Sequence, residues 1–216
     1  MKNAARTQAG APGKLLRTVL IWGSLWGIFE STVGYLLHLL PVSLGWFVWY
    51  PVACFFMAMT YRRTQNAGAI LYVGILSAGI KLFDLLLPVR VDRVINPAVS
   101  IVFESIAMFC AVKALSGLSE EIRKKPHVKA LAAFSMNTGW RMLYILYLLL
   151  IVPDWMREIS VISSSRQLLI FLAVHNLATS ALIFLPFLFP DRILGRIEGK
   201  FASRLPDSGN MAVKKL

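Results

Sequence analysis

The chain has 216 residues, of which 57% are apolar and only 16% are charged, and its mean hydropathy is +0.64. A soluble domain carries about 25% charged residues. Here the charges cluster between long apolar runs, which excludes an ordinary soluble globular protein and predicts a membrane protein. The net charge of +12 does not indicate a nucleic-acid partner, because the basic residues occupy short segments between those runs, where positive charge orients membrane helices.

Six apolar segments are long enough to cross a bilayer, which takes about 20 mostly apolar residues. In chain order they lie at 18–40, 44–60, 67–88, 95–115, 130–152 and 167–189. This pattern predicts an all-α fold, a polytopic transmembrane helix bundle with six spans that form a single domain over 18–189. A basic N-terminus over 1–17 precedes the domain, and a basic tail over 190–216 follows it.

The distribution of lysine and arginine predicts the orientation of the spans. Sixteen of these residues fall in the N-terminus, the second and fourth loops and the tail, against four in the alternate loops. Because positive residues accumulate on the cytoplasmic side, both termini are expected inside the cell (N-in/C-in), in the cytoplasmic (inner) membrane. The same bias supports an even number of spans.

Ionisable residues inside the predicted spans are the most informative feature of the sequence. Each costs about 2.5–3.5 kcal/mol on insertion, so their number indicates a purpose. On each helix they share one stripe with small and polar residues, at about 100° per residue. The stripes must converge to keep charge out of hydrocarbon, and the predicted cluster runs from mid-membrane toward the outer face. Its ionisable members are Glu30, Lys81, Asp84, Glu104 and Arg141, joined by His38 and His175.

The pairing of these charges follows from their spacing and depth. Lys81 is expected to pair with Asp84 at i,i+3, and Arg141 to bond Glu30 or Glu104. Three carboxylates facing two permanent cations leave one negative charge, which a proton, a histidine, a metal ion or a cationic ligand must offset. We therefore predict a substrate-binding site without an assigned metal, cofactor or catalytic residue, formed by Glu30, Lys81, Asp84, Glu104, Arg141, His175 and Asn176.

Small residues at four-residue spacing predict close helix packing. Gly23-xxx-Gly27 lies in the first helix and Ala107-xxx-Ala111 in the fourth, and small-xxx-small pairs allow membrane helices to approach each other closely. Phe-Glu-Ser also occurs in both helices, at 29–31 and 103–105. This echo suggests two halves of three helices each, related as an inverted repeat of the kind found in many transporters.

The architecture resembles the substrate-binding S components of energy-coupling-factor vitamin transporters. The resemblance covers 18–189 and consists of the six spans, the inside termini and a polar cluster displaced toward the outer face. S components dock on their coupling subunit through an Ala-xxx-Ala-type surface of helix 1, for which the nearest match here is Gly23-xxx-Gly27. The resemblance implies uptake of a vitamin-like solute and an energising ATPase partner, since the chain has no Walker motif of its own.

The predicted function is therefore small-solute binding and uptake, with the lipid bilayer, a small-molecule solute and energising membrane or ATPase subunits as partners, and no nucleic acid. One alternative is an intramembrane enzyme acting on a lipid or isoprenoid, in which Glu30, Glu104 and His175 would be acid–base or metal-binding groups. The other is a non-catalytic membrane assembly protein. The residues favour a non-enzymatic role, because they match no recognised catalytic motif.

Overall fold

The computed structural model describes the backbone of residues 12–38, 45–158 and 160–188. These residues are helical or lie in short turns, and none of them is in a β-strand. The all-α prediction is thus confirmed for this part of the chain. The helices are, in order, α1 (Pro12–His38), α2 (Gly45–Thr64), α3 (Gly68–Leu82, continued by a 3-10 turn over Phe83–Leu86), α4 (Asp92–Ser116), α5 (Glu120–Lys124), α6 (Pro126–Leu150), α7 (Asp154–Arg157), α8 (Ser165–Leu169), a π-helical segment (Ile170–His175) and α9 (Asn176–Leu188).

Three stretches of the described chain are long and apolar enough to cross a membrane: Gly68–Leu86, Asp92–Ser116 and Ser165–Phe184. They correspond to the third, fourth and sixth predicted spans and support a transmembrane protein. Helices α1, α2 and α6 coincide with the other three predicted spans and have 27, 20 and 25 residues. The predicted tail and most of the predicted N-terminal segment lie outside the described residues.

The long helices form a closed bundle, whose order differs from their order in the chain. Helix α1 packs against α2 and α3, α3 against α4, α4 against α6, and α6 against α9. Helix α2 packs against α9, which closes the ring, and it also reaches α3 and α4. The inner face of α2 is therefore turned toward the centre of the bundle, where Tyr50 and Met57 are almost completely buried.

Glycines on α1 set its close approach to α3. A Cβ atom on Gly23 would come within 2.8 Å of Leu76, and one on Gly27 within 2.7 Å of Ile80. Ser77 Oγ adds an interhelical hydrogen bond by donating to the main-chain oxygen of Gly23 at 2.9 Å. The packing prediction for this pair is confirmed. Both glycines are buried against α3, so this surface is not exposed to a docking partner.

Small residues also allow close contact between α3 and α4 and between α4 and α6. A Cβ atom on Gly74 would overlap the side chain of Ser105 and lie only 2.5 Å from its Cβ atom. Ala107, from the second predicted small pair, is buried, and its Cβ atom lies 3.9 Å from the Cβ position of Gly139. Small residues thus let α4, which carries Glu104, approach two neighbours closely.

The last long helix is interrupted by a π-helical segment. It starts at α8, whose N-cap Ser164 accepts a hydrogen bond from the main-chain N–H of Gln167 at 3.2 Å, as N-cap serines commonly do. The following six residues, Ile170–His175, adopt π-helical geometry. Such segments are rare and frequently occur at functional sites. Here the segment carries Phe171, which is 1% exposed, into the interior of the bundle.

Candidate functional site

The structure brings the predicted polar residues into the bundle from five helical elements. Five of the seven predicted site residues are buried, namely Glu30, Lys81, Glu104, Arg141 and Asn176. The other two, Asp84 and His175, are half-buried. Glu104 lies within electrostatic range of both Glu30 and Arg141, so the stripes of α1, α4 and α6 face a common centre. The side chain of His38 lies outside the described residues.

Lys81 belongs to a compact cluster between α1 and α3. Its Nζ atom forms a salt bridge with Asp84 Oδ2 at 2.7 Å, and the two side chains are only 6% and 15% exposed. This confirms the predicted i,i+3 pair. The same ammonium group donates to the main-chain oxygen of Glu30 at 3.3 Å, and Glu30 Oε1 accepts from Trp26 Nε1 at 3.3 Å. Asp84 thus neutralises Lys81 directly.

Arg141 is completely buried and surrounded by neutral groups. It donates from Nε to Asn137 Oδ1, from Nη1 to the main-chain oxygen of Phe171 and from Nη2 to Thr179 Oγ1, each at 3.2 Å. Its guanidinium carbon lies 4.8 Å from the ring centroid of Trp140 and 4.4 Å from that of Phe171. Aromatic faces attract cations, so the two rings add stabilisation that does not depend on a carboxylate.

The prediction that Arg141 bonds Glu30 or Glu104 is therefore wrong. Within the described ranges, all three acceptors that Arg141 contacts are uncharged. The physical reason is that Asn137, one turn earlier on α6, and the π-helical segment supply enough acceptors to hold the guanidinium group. Glu104 still attracts Arg141 across space, without a direct bond.

Asn137 joins α6 to α9 and holds Arg141 in place. Its Nδ2 atom lies 2.8 Å from the main-chain oxygen of Asn176 and 2.6 Å from Thr179 Oγ1, while its Oδ1 atom also accepts from Trp140 Nε1 at 2.9 Å. The side chain of Asn176, a predicted site residue, is also used for packing between the two helices, since its Nδ2 atom donates to Thr138 Oγ1 at 2.8 Å. Because Asn137 and Thr179 are 0% exposed, this network is a fixed part of the bundle.

Glu104 differs from the other charged residues because its carboxylate is unsatisfied. The side chain is 5% exposed, and its Oε2 atom has no hydrogen-bond partner in the described part of the chain. The hydroxyl group of Tyr50 on α2, within electrostatic range of Glu104, is also buried without a partner. The thiol of Cys54, one turn along α2, is close enough to interact with this hydroxyl group but does not form a hydrogen bond with it.

These unsatisfied atoms define the centre of the candidate site. Leaving a buried polar group unpaired costs about 1–3 kcal/mol, and such groups are uncommon in folded proteins. Two of them lie here, on α4 and α2, within electrostatic range of Arg141 on α6. We call Glu104, Tyr50 and Arg141 the Glu104 site.

The chain matches no protein family, curated protein or solved structure. The resemblance to S components consequently rests on the arrangement of predicted spans. Nor does the described region place three or more histidine, cysteine, aspartate or glutamate side chains where they would hold a metal ion.

Several site residues could not be recognised from sequence. Tyr50 lies in an apolar run with no charged neighbour, and Trp140 and Phe171 have the composition of ordinary core residues. His175 was recognised, but its ring packs edge-on against Phe47 with centroids 4.9 Å apart. The one available signal was the i,i+4 spacing of Asn137 and Arg141, which places both side chains on one helix face.

Proposed function

We propose that the protein is a six-span transmembrane protein that binds a small polar solute at the Glu104 site, as a component of solute uptake. One observation carries the proposal: among the described residues, the buried carboxylate of Glu104 has an oxygen without a hydrogen-bond partner. The arginine that it attracts bonds only neutral groups in the same part of the chain. A charge pair that only held the helices together would form a direct bond. An unpaired buried charge is costly, and a ligand that meets it offsets that cost.

The surface of the bundle supports six spans with lipid on every side. Helix α1, with 27 residues, is about 40 Å long at a rise of 1.5 Å per residue, which exceeds the hydrocarbon thickness of about 30 Å. The helices that fall outside the three apolar stretches still present large apolar side chains outward. On α1 and α6 these are Leu16, Leu20, Leu25, Ile28, Leu131, Phe134, Met142, Leu146, Leu149 and Leu150.

Basic residues in the connections between helices support a cytoplasmic location for both termini. The turn after α2 follows Arg62 and Arg63, and the connection through α5 carries Arg123, Lys124 and Lys125. These connections alternate with the three basic-poor ones, which carry four lysine and arginine residues in all, and positive residues stay on the cytoplasmic side. In this orientation Glu104 and Arg141 lie near mid-membrane, and the Lys81–Asp84 pair lies in the outer half.

Native mass spectrometry of gently purified protein tests the proposal. Wild-type protein is expected to retain a small molecule that the isosteric variant Glu104→Gln loses. Because Glu104 accepts no hydrogen bond at Oε2 from the described part of the chain, removing its charge should leave expression and thermal stability unchanged or slightly raised. Retention of the same molecule by Glu104→Gln would contradict the proposal. Failure of Glu104→Gln to fold would also contradict it, because Glu104 would then have a structural role.

Glu120→Gln is the matched control. Glu120 is an exposed glutamate on α5 whose pKa lies below its usual value, because Lys124 donates to the carboxylate. Exposed ion pairs of this kind contribute little to stability. The control variant changes the same functional group on the surface of the same protein, so it should retain the bound molecule at the wild-type level.

A further inference from the structure

Arg141 has unused hydrogen-bond donors, and Glu104 has an unused hydrogen-bond acceptor. A guanidinium group has five N–H donors, and Arg141 uses three of them within the described structure. Two N–H donors therefore remain on the cation, while Glu104 Oε2 has no donor to accept from. The two groups attract each other without touching.

We infer that the Glu104 site binds a small zwitterion, with its ammonium group on Glu104 and its carboxylate on Arg141. The inference rests on the proposed function and names the class of solute. An anion alone would meet Arg141 but be repelled by Glu104 and the nearby Glu30. A cation alone would pair with Glu104 but leave the two remaining N–H donors of Arg141 without an acceptor. A zwitterion pairs both buried charges and adds no net charge to the membrane interior, which keeps the cost of desolvation low.

Aromatic side chains cluster around Arg141, so we expect the zwitterion to carry a flat aromatic side chain. Tyr50 and Trp140 lie with ring centroids 5.3 Å apart, and Trp140 meets Phe171 edge-on at 5.9 Å. Tyr144 joins this group at 6.3 Å from Trp140. Aromatic rings gain about 0.5–1.5 kcal/mol from stacked or edge-to-face contacts beyond simple burial. The aromatic group also includes the two rings that flank the guanidinium group of Arg141.

Three indole compounds that differ only in their charged groups test the inference. L-Tryptophan carries both charges, tryptamine only the ammonium group, and indole-3-propionate only the carboxylate. Binding to wild-type protein in lipid nanodiscs is measured by isothermal titration calorimetry. Tryptophan should bind at least about tenfold more tightly than either of the others, since each charged hydrogen bond contributes about 1.5–3 kcal/mol. This comparison needs no variant, so it does not depend on a substituted Arg141 that fails to fold.

The variant Glu104→Gln adds a second readout. It should reduce the affinity for tryptophan to that for indole-3-propionate and leave the affinity for indole-3-propionate unchanged or increased, while Glu120→Gln keeps the wild-type order. Tightest binding of tryptamine, or of indole-3-propionate, to wild-type protein would overturn the inference. If no indole binds but a Glu104-dependent molecule is retained in native mass spectrometry, the inference fails and the proposed function stands. If no such molecule is retained either, both fail.

Discussion

Asn137 determines where the guanidinium group of Arg141 lies, because its single Oδ1 atom accepts from both Arg141 Nε and Trp140 Nε1. Asn137→Ala should leave two buried N–H donors unpaired, at a cost of about 1–3 kcal/mol each. Unfolding followed by circular dichroism in detergent measures the loss. Ser135→Ala, at an exposed position of the same helix, is the control, and equal stability of the two variants would show that the network does not hold α6 and α9 together.

The chain also offers two lysine–carboxylate pairs at helical spacing that differ mainly in burial. Lys81 and Asp84 are 6% and 15% exposed, while Lys124 and Glu120 are 70% and 66% exposed. Lys81→Met should destabilise the protein by about 3–5 kcal/mol, because it leaves a mostly buried carboxylate without its cation. Lys124→Met should have no measurable effect. Comparable melting temperatures for the two variants would mean that water reaches Asp84 freely.

At the residue scale, the buried charged residues could be predicted from the sequence, but not all of the groups that they contact. Charged residues in apolar runs are conspicuous because they are rare there, so Glu104 and Arg141 could be identified. The Lys81–Asp84 bond was predictable, because both residues lie on one helix. The surroundings of Arg141 were not, because they depend on which turn of α9 and the π-helical segment faces α6. Tyr50 was hidden because an aromatic residue in an apolar helix gives no polar signal.

At the scale of elements, two glycines of α3 that look alike in the sequence have different surroundings in the bundle. A Cβ atom on Gly74 would overlap Ser105, whereas one on Gly79 would have none of the described residues within 4 Å. Gly74→Ala should therefore force α3 and α4 apart and destabilise the protein by about 1–3 kcal/mol. Gly79→Ala should be neutral or slightly stabilising, since alanine is the better helix former. Chemical unfolding of both variants checks this, and a stable Gly74→Ala protein would show that the helices are not in close contact there.

The long helices were predictable and their ends less so. Helix α2 continues to Thr64, beyond the predicted end at 60, and α1 begins at Pro12 rather than 18. Hydropathy marks only the apolar part of a span, while backbone hydrogen bonds continue into the polar interface. The π-helical segment Ile170–His175 gave no sequence signal at all, because its residues are as apolar as those of a regular helix.

At the scale of the whole molecule, the order of helices around the bundle could not be read from one sequence, because it depends on which outward faces match. The orientation in the membrane is testable directly. In a background without Cys54 and Cys110, Ser160→Cys after α7 should react with a membrane-impermeant maleimide on intact cells. Gln65→Cys, in the turn after α2, should react only after permeabilisation. The reverse pattern, or equal labelling of both cysteines, would contradict six spans with inside termini.

The central claim is that a bound solute meets the charges of Glu104 and Arg141, and a crystal structure of the wild-type protein grown from lipid tests it most directly. The account predicts non-protein electron density within hydrogen-bond distance of Glu104 Oε2, which has no partner among residues 12–38, 45–158 and 160–188, and loss of that density in Glu104→Gln. A direct Glu104–Arg141 salt bridge with nothing bound beside it would contradict the account, because the two charges would then be a structural pair.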